Sequence, residues 1–237
     1  MVPVNLLKRL NKIQMIHTKK LITFFFCLVI ISCANAQVKL PQIIKDSMIL
    51  QRDSKINIWG WASKGEKISV KLNGKTYRTR TSDDGKWKVQ LSPMKAGGPY
   101  TMDVSGKNKI TLHDILIGDL WLCAGQSNME HQMKLHSVYY PEEIANANYP
   151  EIRQFKIPNV TNLKGPQKDL PGGSWKWADS ENVRDFSAVA YFFAEALYQK
   201  YHVPIGIVNA SWGGVSIESM MSEKSLQSFP DILKTIE

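Results

Sequence analysis

Hydrophobic and polar positions alternate over most of residues 37–117, which predicts a series of short strands. Ile56–Trp61 and 68–72 show this two-residue period, and Asn73-Gly74 directly afterwards is typical of a tight hairpin. Residues 87–91 continue the alternation after a turn that is rich in Asp and Gly. Short strands at this spacing predict a small antiparallel sandwich or open barrel.

The pattern changes after residue 113, where an apolar run replaces the alternation. Residues 120–124 read Leu-Trp-Leu-Cys-Ala, and the run breaks at Gly125 before Gln126, Ser127 and Asn128. An uninterrupted apolar run of this length predicts a buried strand, and the glycine predicts a turn from strand to helix. Ser127 would then lie at the carboxyl end of a strand, beside the free N–H groups that begin a helix.

The second half of the chain predicts an α/β unit. Residues 152–157 read as a strand, and 186–201 place apolar residues at three- and four-residue steps, which predicts a helix. Asp185 or Ser187 would cap this helix, and 129–135 would form a shorter one after Ser127.

The helix at 186–201 precedes a second apolar strand and a glycine loop. Residues 205–209 are apolar without alternation, as in a parallel sheet that is covered on both faces. Gly213 and Gly214 follow, and the right-handed βαβ connection would bring them beside Ser127.

We therefore predict an α/β fold: a parallel sheet with flanking helices, preceded by a small antiparallel β-sandwich domain. The predicted divisions are a signal peptide at 1–36, the β-sandwich domain at 37–115 and the α/β domain at 116–237.

Residues 1–36 resemble an export signal. Lys19-Lys20 precede an apolar run at 21–32, and Ala34-Asn35-Ala36 is a small-residue cleavage site. The run is about half of the ~20 residues that a spanning helix needs. The sequence before Cys33 also resembles a bacterial lipobox, so simple secretion and a lipid anchor at Cys33 are both open. Either one predicts a periplasmic or extracellular protein, and labelling with a radioactive fatty acid distinguishes them.

Charge and cysteine content narrow the function further. The formal net charge is +9, but five positive residues and no acids precede residue 37, which leaves +4 for the rest. Because no dense basic stripe follows, we expect no nucleic-acid partner. Cys123 is the one cysteine after residue 36, so no internal disulfide is expected, and no Cys/His spacing predicts a metal or cofactor.

Three tryptophans in the first half leave two interpretations open. Trp59, Trp61 and Trp87 are able to contact a sugar, or they belong to the core of the sandwich. Burial in the core is the usual place for such residues, so we expect it here.

Two segments carry a resemblance to a known family. Residues 117–129 (IGDLWLCAGQSNM) and 204–218 (PIGIVNASWGGVSIE) are similar to the amino-terminal part of the sialate O-acetylesterases, carbohydrate esterases of the SGNH-hydrolase superfamily. The similarity runs from about residue 38 to the end. It implies an SGNH-hydrolase-like sheet and a hydrolase that removes acetyl groups from an O-acetylated sugar, typically sialic acid.

The resemblance also implies roles for individual residues. Ser127 would be the catalytic nucleophile, and the oxyanion would be held by the Ser127 N–H and by an N–H at Gly213 or Gly214. Gln126, Asn128, Asn209 and Glu218 would contact the sugar or orient the turn.

The chain departs from the family pattern at the catalytic base. The family takes its Asp and His from a late Asp-x-x-His segment, and a further donor from Gln-Gly-Glu-Ser, and neither occurs here. We therefore expect a fragment that is nearly inactive alone, because a serine without a base is a weak nucleophile. His131 and His136 lie on or near the serine's own helix, which is a poor position for a base.

Two other functions are compatible with the sequence. The same chemistry would serve acetylated xylan or another plant glycan. Alternatively, the protein is a non-catalytic carbohydrate-binding protein, with the β domain as the binder.

Overall fold

A single strand of 17 residues, Lys109–Gly125, lies at the centre of the fold in the computed structural model. The structure describes residues 37–162 and 165–232. The predicted signal peptide and the lipobox cysteine therefore lie outside the described residues. No helix in the described part of the chain is long and apolar enough to cross a bilayer.

The described residues form ten strands and four α-helices. The strands are β1 (Ile49–Gln51), β2 (Ile56–Trp61), β3 (Lys67–Leu72), β4 (Lys75–Arg80), β5 (Lys86–Leu91), β6 (Gly97–Ser105), β7 (Lys109–Gly125), β8 (Asn148–Lys156), β9 (Trp175–Asp179) and β10 (Ile205–Ser211). The helices are α1 (Ser127–Glu130), α2 (Pro141–Ala145), α3 (Ala188–Tyr201) and α4 (Glu223–Leu226). Short 3-10 turns lie at Met133–His136, Asn182–Asp185 and Glu218–Met220.

Strand β7 joins an antiparallel region to a parallel one. Its first part pairs antiparallel with β6, and its residues 116–118 pair parallel with β1. Residues 119–125 then pair parallel with β10, which pairs parallel with β8. The result is one eight-stranded mixed sheet in the order β4-β3-β6-β7-β10-β8-β9, with β1 beside β7.

The strands predicted for residues 37–115 are present, but most of them belong to this mixed sheet. Only β2 and β5 form a separate, two-stranded antiparallel sheet among the described residues. One apolar core continues from Ile58 and Val70 through Met102 to Phe155 and Val208, on both sides of residue 115. A separate sandwich domain and the boundary at 115/116, which falls inside β7, stay predictions.

Helix α3 covers the parallel part of the sheet and confirms the predicted helix. The Ser187 hydroxyl caps it by accepting a hydrogen bond from the Ala190 N–H at 3.2 Å. Its buried face contributes Tyr191 and Ala194 to a second apolar core, which also contains Ile205 and Ile207 of β10. The helix therefore fixes β10 and the loop that follows it.

The helix predicted at 129–135 is wrong, because α1 ends at Glu130. His131 leaves helical geometry, and Gln132 forms a β-bridge with Ser187. The carbonyl of His131 accepts a hydrogen bond from the Ala188 N–H at 2.8 Å. The start of α3 therefore uses the backbone groups that a longer helix would have used.

The strand predicted at 120–124 is present, but it is less buried than expected. Trp121 is 43% exposed and Leu122 is 69% exposed, whereas Cys123 is buried. In the described structure, residues 119–125 pair only with β10. Trp121 instead packs edge-on against Phe193, with ring centroids 5.0 Å apart.

Candidate active site

Ser127 lies at the point where β7 ends and α1 begins. Gln126 is the N-cap in an extended conformation, and its carbonyl accepts the N–H groups of Met129 and Glu130 at 3.0 and 2.9 Å. Ser127 is exposed and occupies the first position of the helix. The first N–H groups of a helix have no intrahelical acceptor, so the Ser127 N–H is oriented for an external one.

The loop after β10 packs against this turn, as the βαβ pattern predicted. The Trp212 N–H donates to the Gly125 carbonyl at 2.9 Å. A β-carbon on Gly213 would lie 3.6 Å from both Cα and Cβ of Ser127, and 2.8 Å from Oε2 of Glu130. Glycine therefore permits a close approach here that a larger residue would disturb.

Glu130 connects the serine turn to two other loops. Its Oε2 accepts the Gly213 N–H at 2.5 Å, and its Oε1 accepts the Asn159 amide at 2.6 Å. The Gly213 N–H is thus already used, whereas the Gly214 N–H has no hydrogen-bond partner within residues 37–162 and 165–232. The sequence offered a weak signal for Glu130: it is an acid three residues after Ser127.

Lys156 supplies the positive charge of the site. Its Nζ lies 3.8 Å from Oε1 of Glu130 and donates to the carbonyl of Ser211. Burial lowers the pKa of Lys156, and the nearby Glu130 carboxylate opposes that shift. The ammonium group therefore links the end of β8 to the end of β10.

A buried polar network lies beneath the loop. The Asn209 amide donates to Gln154 at 3.1 Å, and its oxygen accepts the N–H and hydroxyl of Ser211 at 3.1 and 2.5 Å. Gln154 also accepts the Ser187 N–H at 3.1 Å. Since Asn209 is only 2% exposed, the structure gives it internal partners, and its role as a sugar ligand stays a prediction.

The other predicted contact residues lie at the surface. Gln126 and Asn128 are exposed on either side of Ser127. Glu218 is half-buried at the start of a 3-10 turn, where a hydrogen bond from the Ser216 side chain lowers its pKa. Trp212 borders a cavity of about 550 Å³ that Pro158, Val160 and Met220 also line.

The described residues contain no partner that would activate Ser127. Its hydroxyl makes no hydrogen bond to any of them. The rings of His131 and His136 lie 5.5 Å from each other, and the His131 N–H donates to the Ser127 carbonyl as part of the helix. No cluster of His, Cys, Asp and Glu that is fit for a metal occurs in the described part of the chain.

Replacing Glu130 should loosen this arrangement. We expect Glu130→Ala to lower the free energy of unfolding by about 1–2 kcal/mol, because Asn159, Gly213 and Lys156 each lose an acceptor or a charge partner. Glu130→Gln should cost less, because the amide oxygen still accepts one of these bonds. Urea unfolding would measure both variants.

The control for this prediction is Glu142→Ala, a solvent-exposed glutamate of α2 with no ion pair among the described residues. Its effect should be within about 0.5 kcal/mol of zero. Equal losses in Glu130→Ala and Glu142→Ala would show that the bridge does not stabilise the fold.

Comparison with known proteins places this geometry in a family. Residues 117–237 match the family described as carbohydrate esterase, sialic acid-specific acetylesterase. The chain is 34% identical over 218 residues to sialate O-acetylesterase from Homo sapiens, and 33% identical over 216 residues to that from Rattus norvegicus. These alignments cover 82% of this chain but 41% and 39% of the two relatives, so the chain spans about two-fifths of their length.

A solved structure agrees with the sequence relatives. The crystal structure of a carbohydrate acetylesterase from Xanthomonas citri is 41% identical and superposes with a TM-score of 0.77. The superposition covers 81% of this chain and 44% of the Xanthomonas citri protein. The shared fold and the matched segment, which is about half of the chain and contains Ser127 and both loop glycines, lead to one conclusion: the chain belongs to the sialic acid-specific acetylesterase family of carbohydrate esterases.

Proposed function

We propose that the protein is a carbohydrate O-acetylesterase that releases acetate from O-acetylated sialic acid, with Ser127 as the nucleophile. The observation that carries this proposal is the position of Ser127: it is exposed at the end of β7, with the Gly213 backbone packed against it. The names of the relatives support the substrate class.

The proposed reaction has two steps. The Ser127 oxygen attacks the acetyl carbonyl carbon, and the bond to the sugar oxygen breaks as that oxygen takes up a proton. Water then attacks the acetyl-serine, releasing acetate and restoring the hydroxyl. Gln126, Asn128 and Glu218 would contact the sugar around the turn. Asn209, which is buried beneath the loop, would orient the turn.

Two backbone N–H groups would stabilise the oxyanion of each step. The Ser127 N–H is the first donor, because it begins α1 without an intrahelical acceptor. The second comes from the Gly213-Gly214 loop. Gly214 supplies it in the arrangement described here, since Glu130 already holds the Gly213 N–H.

The base is the part of the mechanism that is not found among the described residues. The sequence has no Asp-x-x-His segment, and residues 37–162 and 165–232 offer the Ser127 hydroxyl no hydrogen-bond partner. We therefore propose that the chain alone is nearly inactive and needs a segment that carries the Asp and His of its family. The leader pattern in residues 1–36 supports action outside the cytoplasm, either after secretion or on a lipid anchor at Cys33.

The test compares the chain with a fusion to the Asp-x-x-His segment of a homologue. On p-nitrophenyl acetate, we expect the fusion to be about 10²–10⁴ times faster, because a positioned general base typically contributes that factor. On sugars, we expect faster acetate release from O-acetylated sialic acid than from acetylated xylan.

Two results would count against the proposal. A robust rate from the chain alone would show that a base is present within it. Faster release of acetate from acetylated xylan than from O-acetylated sialic acid would show that the substrate is a plant glycan.

A further inference from the structure

A groove lies over the outer face of the β2–β5 sheet, apart from the serine turn. Trp59 and Trp61 point to this face, and their cross-strand partners are Lys88 and Lys86. Trp59 is 41% exposed, against the expectation that all three tryptophans of this region pack inward, whereas Trp87 is buried as expected. An indole that is exposed in a groove offers a flat surface on which a sugar ring can stack.

The groove is predominantly cationic. Four positive side chains line it, together with one carboxylate, Asp84, which pairs with Lys86 at 2.9 Å. The positive residues are Arg80, Lys86, Lys88 and Lys168. Lys88 and Lys168 have no carboxylate within 4 Å among the described residues, so two cations are available to an anionic ligand.

The size of the groove suits several sugar units. Its volume is about 750 Å³, and the segment 166–168 forms its second wall. A neighbouring cavity of about 560 Å³ shares Trp59 and Lys168 with it and extends to Pro158. Pro158 also lines the cavity beside Trp212, so the space continues towards the loop at Ser127.

We propose that this groove binds an acidic oligosaccharide, with a sugar ring stacked on Trp59 and carboxylates paired with Lys88 and Lys168. The stacking selects a sugar, and the unpaired cations select a negatively charged one. The amides of Asn57 and Gln90, which face each other on the same strands, extend the polar surface of the face. This site is distinct from the esterase site and does not depend on Ser127 chemistry.

The experiment is a titration of the full chain with the tetramer of α2,8-linked sialic acid, followed by the indole N–H signals of the tryptophans in nuclear magnetic resonance spectra. We expect the Trp59 signal, assigned from its loss in Trp59→Phe, to shift saturably. Lys88→Ala should raise the dissociation constant about tenfold, as expected for an anchor residue of a binding site. The carboxyl-reduced tetramer should bind at least about tenfold more weakly.

Matched controls are Trp177→Ala, an exposed tryptophan on β9, and Lys75→Ala, an exposed lysine at the other end of β4 from Arg80. Neither lines the groove, and neither should change the dissociation constant. An equal loss of binding in Lys75→Ala and Lys88→Ala would overturn the proposal, because it would indicate attraction by net charge alone.

Two further outcomes would also overturn it. If the Trp212 signal shifts while the Trp59 signal does not, the sugar binds only beside the serine turn, and the proposed function survives without the groove. If a single-stranded oligothymidylate binds at Trp59 as tightly as the tetramer, the groove recognises polyanions with flat rings and not sugars.

Discussion

Ser127→Ala in the fusion that carries Asp-x-x-His should lower the rate on p-nitrophenyl acetate by at least about 10³-fold, because the acetyl group then has no acceptor on the enzyme. Mass spectrometry should detect acetyl-Ser127 in the unmodified fusion during turnover and no such adduct in the variant. Both measurements are needed, since a rate loss alone would also follow from a misfolded turn.

Ser180→Ala is the control, because Ser180 is an exposed serine in the turn after β9. It should leave the rate unchanged. Retention of the rate in Ser127→Ala, or an acetyl group on a different residue, would contradict the assignment of the nucleophile.

Gly118→Ala should destabilise the fold more than an alanine at the other glycines of the sheet, because its β-carbon meets the shortest contact. A β-carbon there would lie 2.0 Å from the carbonyl oxygen of Pro204, which also accepts the Asp119 N–H at 2.9 Å. Because backbone is the obstacle, the chain would have to move away from β7 at Pro204, directly before β10. We expect a loss of about 3 kcal/mol or more, measured by urea unfolding.

Gly74→Ala provides the comparison. No atom lies within 4 Å of a β-carbon at Gly74, but φ is +73°, so only the backbone conformation opposes the change. Its cost should be about 1 kcal/mol. If Gly118→Ala were no worse than Gly74→Ala, the start of β10 would be able to move without loss of packing.

The local elements could be predicted from sequence because their signals lie within a few residues. The alternation in β2 and β5, the Asn73-Gly74 hairpin and the cap at Ser187 are all short-range patterns. The predicted parallel pairing of β10 with β7 is confirmed as well. It follows from general rules on βαβ units, without any knowledge of side-chain contacts.

Contacts between distant residues could not be predicted in this way. Glu130 bonds to Gly213, which is 83 positions away, and Asn209 bonds to Gln154. A polar residue within an apolar run, such as Asn209, shows that a partner is needed but does not show which one. The same limit explains the failure at 129–135, where the competing partner is the start of α3.

Burial was the least predictable property, because it depends on what covers each face. Trp121 and Leu122 belong to an apolar run and are nevertheless exposed, since the described part of the chain gives this segment of β7 only β10 as a neighbour. Trp59 and Trp87 lie on adjacent strands, and only the register decides that one faces the groove and the other the core.

Strand β7 also bears on how such genes can recombine. A crossover between two homologous genes at residues 115/116 would join half-strands from different parents, and the first half must keep its register with β6 while the second keeps its register with β10. Side chains alternate between faces, so a one-residue error would invert the second half. The two halves of β7 should therefore be inherited from the same parent. Insertions should be tolerated at hairpins such as Asn73-Gly74 and not within β7.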